Sequence, residues 1–190
     1  MIGVEIGGVS LSLETAPGLF SPRSADRGTL AMLSRVDLAP GMKVLDLGCG
    51  CGLVGVLAAK VCGEGNVVML DVDPLSVEIA RRNAARNGVG GVKCVLSDGF
   101  RALDDTGFDL ILSNPPYQSD FSVAKAFIEK GFNRLKLGGR MVMVTKRREW
   151  YRNKLISVFG GVKICEVDGY FVFEAEKRRA DYAGKRHFIK

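Results

Sequence analysis

The nine residues VLDLGCGCG at 44–52 decide the fold of this chain. An apolar run leads directly into glycine at every second position, Gly48, Gly50 and Gly52. Because glycine adopts positive φ at little cost, the backbone can turn sharply after a buried strand and approach a ligand at the start of the next helix. A dinucleotide fingerprint needs G-x-G-x-x-G, and the third glycine here comes one residue early. The stretch therefore predicts a nucleotide-sized cleft and argues against NAD.

On both sides of this stretch, apolar runs of strand length alternate with amphipathic segments of helix length. The runs are too continuous for a half-exposed antiparallel strand and are typical of buried central strands. The predicted strands are 43–47, 66–70, 92–96, 108–112 and 140–144, and the predicted crossover helices are 52–62, 74–88 and 122–139. Repeated β-α-β units imply a mostly parallel sheet with helices on both faces, so the expected fold class is α/β.

The two ends of the chain depart from this alternation. Residues 162–167 and 169–176 are apolar runs separated by Asp168, or by Asp168-Gly169, and predict a tight antiparallel hairpin. Near the start, VEIGG and VSLSLET predict a small hairpin, followed by a helix that begins near Asp26. This first hairpin either caps the mouth of a site or packs at an edge of the sheet.

Length and composition fit one domain over residues 1–190, with a hairpin and cap at 1–25 and a basic tail at 177–190. No apolar stretch approaches the roughly 20 residues that span a bilayer, and the N-terminus has no basic start before an apolar core. The five cysteines lack C-x-x-C spacing, which suits reduced thiols, and His187 is the single histidine. We expect a soluble, cytoplasmic protein with no membrane partner and no metal, and no pattern sets an oligomeric state.

The net charge of +6 is unevenly distributed. The segment 146–154 contains five Lys or Arg and one acid, and the tail at 177–190 contains six and one, so the rest of the chain is slightly acidic. A basic surface on an otherwise acidic domain favours a polyanion such as RNA or DNA, and Trp150 and Tyr151 could stack on RNA bases there. In the alternative interpretation, the basic residues of 146–154 form the solvated face of a helix and the tail is frayed. Trp150 or Tyr151 then anchors this helix to the sheet.

Acidic side chains follow the second and third predicted strands. Asp71 ends the second strand, where a carboxylate can accept both hydroxyls of a ribose, whereas Asp73 is better explained as a helix cap. After the third strand, Asp98 can accept an exocyclic adenine amine and Phe100 offers a stacking surface. Each alone could be a cap or turn residue, but their joint occurrence indicates an adenosine. No lysine follows the glycines as it does in a P-loop, so no phosphate is required.

The octapeptide SNPPYQSD at 113–120 follows the fourth predicted strand. Pro115 and Pro116 offer no backbone N–H and fix φ, so the segment becomes a stiff loop that points Asn114 and Tyr117 in set directions. Without the upstream motifs the segment would be interpreted only as a turn. After a cleft for adenosine it indicates a loop that positions a second molecule.

Together these residues resemble the class I S-adenosylmethionine (SAM)-dependent methyltransferases. DLGCGCG resembles their first motif, and NPPY resembles the fourth motif of members that methylate an amino group conjugated to a ring or a carbonyl. The resemblance implies a Rossmann-like, seven-stranded, mostly parallel sheet with a C-terminal antiparallel hairpin, and SAM as the cofactor. The cofactor-binding residues that it implies are Asp46, Gly48, Cys49, Gly50, Gly52, Asp71, Val72, Asp98, Gly99, Phe100 and Asn114. Cys49 and Cys51 fit as small side chains between glycines, with no nucleophilic or metal role.

The chemistry of such an amine explains the loop's composition. Its lone pair is shared with a π system, so it is a poor nucleophile and its geometry must be controlled. If the Asn114 side chain and the Pro115 carbonyl accept its two N–H bonds, they favour a tetrahedral nitrogen and aim its lone pair at the methyl. Tyr117 would stack on the flat target, as pockets for a flipped base do. No strong base is then required, and the catalytic residues expected are Asn114, Pro115, Pro116 and Tyr117.

The segment before the first motif bears on the target. Residues 17–21 (PGLFS), 26–29 (DRGT) and the Leu-rich run after them are similar to the corresponding segment of small-domain guanine-N2 ribosomal RNA methyltransferases. This similarity implies ribosomal RNA as the substrate, bound by Phe20 and Tyr117 and, through phosphate, by Lys146 and Arg147. Alternatives are glutamine-N5 methylation of a release factor, adenine-N6 methylation, and, least favoured, a non-catalytic subunit that binds SAM or RNA.

Overall fold

The computed structural model describes residues 1–17, 25–116 and 121–183. Within these ranges a seven-stranded sheet has the order β5-β4-β3-β6-β7-β9-β8, and β1 and β2 form a separate hairpin. The strands are β1 (Ile2–Ile6), β2 (Val9–Leu13), β3 (Val44–Leu47), β4 (Val67–Asp71), β5 (Lys93–Leu96), β6 (Phe108–Ser113), β7 (Leu135–Thr145), β8 (Lys163–Val167) and β9 (Tyr170–Glu176). The helices are α1 (Arg27–Leu33), α2 (Leu53–Cys62), α3 (Pro74–Arg86), α4 (Phe121–Arg134) and α5 (Arg148–Phe159).

Strand direction follows the prediction. β5, β4, β3, β6 and β7 are mutually parallel, and β9 pairs antiparallel with both β7 and β8. The turn between β8 and β9 places Asp168 at φ 50° and Gly169 at φ 77°, the positive values that a two-residue hairpin turn requires. The predicted α/β class and the C-terminal hairpin are therefore confirmed, and the carboxyl ends of the parallel strands meet at one edge of the sheet.

Alternate residues of the central strands enter two separate cores. Val44 and Leu110 face a core built with α1, α2 and α3, while Leu45 and Ile111 face a second core built with α4 and α5. Strands buried on both faces need apolar residues at successive positions, which is why their runs are continuous in the sequence. Both faces of the sheet are covered, as predicted.

The helix predicted over 122–139 is shorter in the structure, because α4 ends at Arg134 and β7 begins at Leu135. Gly138 lies at φ 79°, outside the helical region. Its N–H donates to the Lys177 carbonyl, and the Lys177 N–H donates to the Gly139 carbonyl. A strand that pairs with β6 and β9 satisfies these backbone groups. Leu135 is buried whereas Leu137 is 63% exposed, so these two leucines do not mark a buried helix face.

The N-terminal hairpin packs against α2 and α3, and one of its residues lines a cavity. Leu11 and Leu13 are buried against the core beneath α2 and α3, and the Asn83 side chain accepts the Glu14 N–H at 2.7 Å. At the same end of the hairpin as Leu13, with which it pairs, Ile2 lines a cavity at the carboxyl edge of the sheet. The hairpin therefore closes one side of this cavity, and it packs on α2 and α3 and not at an edge of the sheet.

The α-helices in the part of the chain that the structure describes are 7 to 14 residues long. No helix there combines the length and the apolarity that a bilayer span requires.

Candidate active site

A cavity of about 400 Å³ opens at the carboxyl ends of β3, β4, β5 and β6. This volume lies within the range of small-molecule sites, and the carboxyl edge is where α/β sheets bind their ligands. Its described lining includes five aspartates and no Lys, Arg or His. The aspartates are Asp26, Asp46, Asp71, Asp73 and Asp98. A cavity with this charge favours a cationic ligand and disfavours a phosphate.

The glycine stretch turns the chain from β3 into α2 beneath this cavity. Gly48, Gly50 and Gly52 all have positive φ, between 53° and 85°, and the N–H groups of Gly48 and Cys49 both donate to the Leu70 carbonyl. A Cβ built on Gly52 would lie 3.0 Å from the Ala80 Cβ, so glycine there allows α2 to approach α3. Gly48, Cys49 and Gly50 line the cavity, whereas Gly52 shapes the turn from behind.

Asp46 is the buried acid of the site. Its carboxylate accepts the Gly55 N–H at 2.8 Å and lines the cavity although only 3% of the residue is exposed. Burial raises its pKa to about 7, the Gly55 hydrogen bond opposes this rise, and the negative charge of Asp71 adds to it. Asp46 is therefore poised to change charge near neutral pH, and a cationic ligand would favour its ionised form.

Asp71 ends β4 and is held by the glycine turn. One carboxylate oxygen accepts the Gly50 N–H at 2.9 Å and the other accepts the Asp73 N–H at 3.0 Å. These bonds fix the carboxylate at the cavity wall, and each oxygen has a second lone pair for a hydroxyl. Asp73 caps α3 by accepting the N–H groups of Leu75 and Ser76, as predicted.

The third strand end contributes an acid and a glycine to the wall. Asp98 and Gly99 line the cavity together with Val72, which follows Asp71 on the adjacent strand. The Asp98 carboxylate is exposed and lies 3.1 Å from the Arg101 guanidinium. The Val72 side chain is 65% exposed and offers apolar surface to the cavity. These residues form the side of the cavity where the sequence predicts adenine.

Phe100 does not occupy the stacking position that the sequence predicts for it. Its ring is buried in the core and meets Phe127 edge-on, with 6.4 Å between the ring centroids. Phe127 of α4 lines the cavity instead, and a Cβ on Gly48 or Gly99 would touch its ring at 3.8–3.9 Å. A helical period of apolar residues predicts that Phe127 is buried, but it does not reveal that one edge of the ring faces the cavity.

The thiols near the glycine turn are shielded from solvent. Burial raises the pKa of Cys49 well above its usual range and also raises that of Cys51, and the negative charge of Asp46 adds to both effects. A thiol with a raised pKa holds little thiolate at neutral pH and is a poor nucleophile. This agrees with the interpretation of both cysteines as small filling side chains.

Asn114 follows β6 and reaches the cavity between the glycine turn and α1. Its side-chain NH₂ donates to the Asp26 carboxylate at 2.6 Å and to the Thr29 hydroxyl oxygen at 3.0 Å. Pro115 and Pro116 line the same wall. Tyr117 and Phe20 lie outside the described residues. The sequence predicts Asp26 only as the start of a helix, and no pattern marks Asp26 or Thr29 as site residues, although both belong to the DRGT run.

The basic segment lies near the site and not inside the cavity. The Arg147 guanidinium lies 5.1 Å from the centre of the Phe121 ring, which stacks on Trp150 at 4.3 Å, and Lys146 lies 4.9 Å from the Tyr170 ring. Tyr151 is buried and stacks on Phe173, so it anchors α5 to the sheet. We call Phe121, Lys146, Arg147 and Trp150 the basic-aromatic surface.

Lys177 does not belong to the exposed basic tail in which the sequence analysis placed it. It is 9% exposed, donates to the Leu135 carbonyl at 2.8 Å and lies 4.8 Å from the centre of the Phe132 ring. Burial lowers the pKa of its ammonium. Its long stem fills the space beside β7, so Lys177 is a packing residue.

Comparison with known proteins identifies the family of this site. Residues 10–174 match the family described as methyltransferase small domain. The chain belongs to this family. The match runs from the N-terminal hairpin into β9 and therefore includes the glycine turn, the strand-end acids and the Asn114 loop. The chain therefore has the fold that its sequence predicts and belongs to a methyltransferase family.

Named relatives are similar over almost the whole chain. Ribosomal RNA small subunit methyltransferase C of Pseudomonas putida is 31% identical over 172 residues, which cover 88% of this chain and 51% of the relative. The protein of that name from Serratia proteamaculans is 32% identical over 182 residues, 93% of this chain and 52% of the relative. The chain thus spans about half the length of the curated relatives that it matches.

Solved structures are similar in the same way. A T. thermophilus 16S rRNA N2 G1207 methyltransferase, RsmC, in complex with AdoMet and guanosine superposes with a TM-score of 0.84 and 30% identity over 93% of this chain and 50% of that one. TrmN from Thermus thermophilus superposes with a TM-score of 0.69 and 28% identity, over 82% of this chain and 50% of that one.

Proposed function

We propose that this methyltransferase small domain transfers a methyl group from SAM to an exocyclic amine, the N2 of guanine in ribosomal RNA. One observation carries the proposal: a cavity lined by aspartates, at the carboxyl edge of the sheet, is bordered directly by the Asn-Pro-Pro turn. The acids suit a cationic cofactor, and the turn suits an amine that must be held in a set geometry.

The lining residues fit SAM in charge and in shape. Asp71 can accept ribose hydroxyls, Asp98 can accept an adenine amine, and Asp46 can balance an ammonium or sulfonium charge. Val72 and Phe127 offer apolar surface to a flat base. When bound, SAM supplies a methyl group that its sulfonium charge makes electrophilic.

The chain's own contribution to the reaction lies in the loop after β6. The Asn114 side-chain carbonyl and the Pro115 carbonyl accept the N–H bonds of the target amine and orient its lone pair toward the methyl. Pro115 and Pro116 stiffen this loop, and Tyr117 stacks on the target base. The amine becomes acidic as it gains the methyl, so its proton can leave to water without a strong base.

Ribosomal RNA is the favoured substrate for two reasons. The relatives of 30–32% identity are named for ribosomal RNA, and one is solved with guanosine. In addition, the basic-aromatic surface offers cations for phosphates and rings for unpaired bases, the two contacts by which single-stranded nucleic acids are bound.

The test supplies SAM with a radiolabelled methyl to the protein together with free ribosomal RNA, assembled small ribosomal subunits or a release factor, and then separates RNA from protein. We expect label in the RNA fraction. Label only in the release factor would support glutamine-N5 methylation and overturn the RNA proposal. Asn114→Ala is the control: transfer should fall at least about 100-fold while SAM still binds, because the loop's amine acceptor is lost.

A further inference from the structure

Asp26 joins the start of α1 to the loop after β6. Its Oδ1 accepts the Thr29 N–H at 2.8 Å, which caps the helix, and the Thr29 hydroxyl at 3.2 Å. The same oxygen accepts the Asn114 side-chain NH₂ at 2.6 Å. These contacts join residues 88 positions apart, and all three side chains line the cavity. The helix cap alone would not require Asp26 to meet Asn114.

We propose that Asp26 is a positioning residue that orients the Asn114 side chain for catalysis, with Thr29 as its second contact. The inference rests on the proposed function, because it assigns Asn114 the task of accepting an N–H of the target amine. No role in binding SAM is assigned to Asp26.

The chemistry of the two partners fixes the direction of the amide. An amide side chain has a donating nitrogen and an accepting oxygen of nearly equal size, and rotation by 180° exchanges them. A carboxylate can only accept, so Asn114 must turn its nitrogen toward Asp26. The Thr29 hydroxyl gives its proton to Asp26 and therefore also accepts from Asn114. The side-chain oxygen of Asn114 then points away from Asp26 and Thr29, in the direction from which it can accept an N–H of the target amine.

Orientation of this acceptor should affect the chemical step and not cofactor binding. A rotated amide would present N–H groups to an amine that itself donates, which removes the acceptor and adds a repulsive contact. Loss of alignment by about 1 Å or a comparable rotation can lower a rate about 100-fold. The expected signature is therefore a fall in kcat that exceeds any change in the Kd for SAM.

Asp26→Ser separates the positioning role from the helix cap. Serine is as good an N-cap as aspartate, so α1 and the melting temperature should be preserved. Its hydroxyl is neutral and can donate as well as accept, so it no longer fixes the direction of the Asn114 amide as a carboxylate does. We expect kcat to fall about 10–100-fold, a larger change than any in the Kd for SAM, to which Asp26 contributes only as one of five aspartates in the lining. Wild-type kcat in Asp26→Ser would overturn the proposal.

An exchange of the two side chains provides a rescue. Asn114→Asp alone places two carboxylates against each other, and like charges at this distance repel. Adding Asp26→Asn restores the hydrogen bond with its direction reversed, and the second oxygen at position 114 still accepts from the target. We expect the double variant to be at least about tenfold faster than Asn114→Asp alone. A double variant no faster than the single one, or an Asn114→Asp variant as fast as wild type, contradicts the proposal.

Nuclear magnetic resonance of the Asn114 side-chain NH₂ keeps this inference separate from the proposed function. Asp26→Ser should shift its two proton resonances, whatever substrate the protein methylates, and unshifted resonances would contradict the inference. If the wild-type protein forms no N2-methylguanosine, the proposed function fails. If the wild type forms it and Asp26→Ser does so equally fast, only the inference fails.

Discussion

Asp46 illustrates how a single buried side chain couples this site to pH. Its pKa of about 7 in the ligand-free protein means that it carries a proton for part of the time near neutrality. A cationic ligand stabilises the carboxylate, so binding must displace that proton whenever it is present. Affinity should therefore rise with pH until Asp46 is ionised.

We predict that the affinity for SAM increases as pH is raised from 5.5 through 7, by up to about tenfold per pH unit well below the Asp46 pKa. Asp46→Asn should remove this component, since an amide keeps the acceptor for Gly55 but does not titrate. Isothermal titration calorimetry at several pH values measures it. Asp73→Asn is the control: Asp73 lines the same cavity, but its hydrogen bond from Ser76 lowers its pKa, so the pH profile should persist. Equal profiles for wild type and Asp46→Asn would refute the prediction.

At the level of single residues, the acidic residues of the cavity are easier to predict from the sequence than the aromatic ones. Asp71 and Asp98 are recognisable because they follow buried strands and so must reach the carboxyl edge of the sheet. Phe100 and Phe127 could not be ranked, because the packing of each ring decides whether it faces the core or the cavity. Asp26 is fully explained by its local role as a helix cap. Its contact with Asn114, 88 residues away, is set by tertiary structure and has no signal in the local sequence.

At the scale of elements, the turn from β3 into α2 is held by close backbone packing. Gly52 lies at φ 85°, and a Cβ there would be 3.0 Å from the Ala80 Cβ and 3.2 Å from the Met69 sulfur. The left-handed conformation alone costs an L residue roughly 1–2 kcal/mol. The third glycine of the stretch is thus required by the approach of α2 to α3 and to the sheet.

We predict that Gly52→Ala lowers the free energy of unfolding by about 2 kcal/mol, through backbone strain and the contact with Ala80. It should also weaken SAM binding, because the turn carries Gly48 and Gly50 at the cavity. Urea denaturation followed by circular dichroism measures the stability. Gly161→Ala is the matched control, since Gly161 has no positive φ and a Cβ there meets nothing within 4 Å. Equal losses at the two positions would contradict this account.

The order and type of the central elements were predictable from the sequence, but one boundary was not. Residues 135–139 continue an amphipathic pattern, which predicts that the preceding helix extends through them. Their assignment to β7 depends on hydrogen bonds between Gly138, Gly139 and the distant Lys177. Contacts of that kind are set by tertiary structure, and a local period of apolar residues does not reveal them.

At the scale of the whole molecule, charge is divided between two neighbouring regions. The described lining of the cavity is acidic, and the basic-aromatic surface lies at the end of β7 and the starts of α4 and α5. Net charge and its clustering were readable from the sequence, whereas the burial of Lys177 was not, because composition does not show which cation packs inward. An acidic cofactor cavity beside a basic surface suits a cationic cofactor and a polyanionic substrate.

We predict that Ala substitution of both Lys146 and Arg147 weakens RNA binding and reduces the slope of log affinity against log salt by about one to two. Each phosphate contact releases counterions from the RNA on binding, and this release causes the slope. A variant that makes fewer phosphate contacts therefore has a smaller slope. Filter binding at several salt concentrations measures it. Lys60→Ala is the control, because this exposed cation lies at the end of α2 remote from the cavity. An unchanged slope in the double variant would exclude a phosphate contact at these residues.

The most direct test of the central claim is the identity of the methylated nucleoside. Ribosomal RNA and assembled small subunits would be incubated with the protein and SAM bearing a deuterated methyl, digested to nucleosides and analysed by mass spectrometry. The account predicts deuterated N2-methylguanosine, absent when Asn114→Ala replaces the wild-type protein. Deuterium in N6-methyladenosine, or in no nucleoside of either RNA, would contradict it.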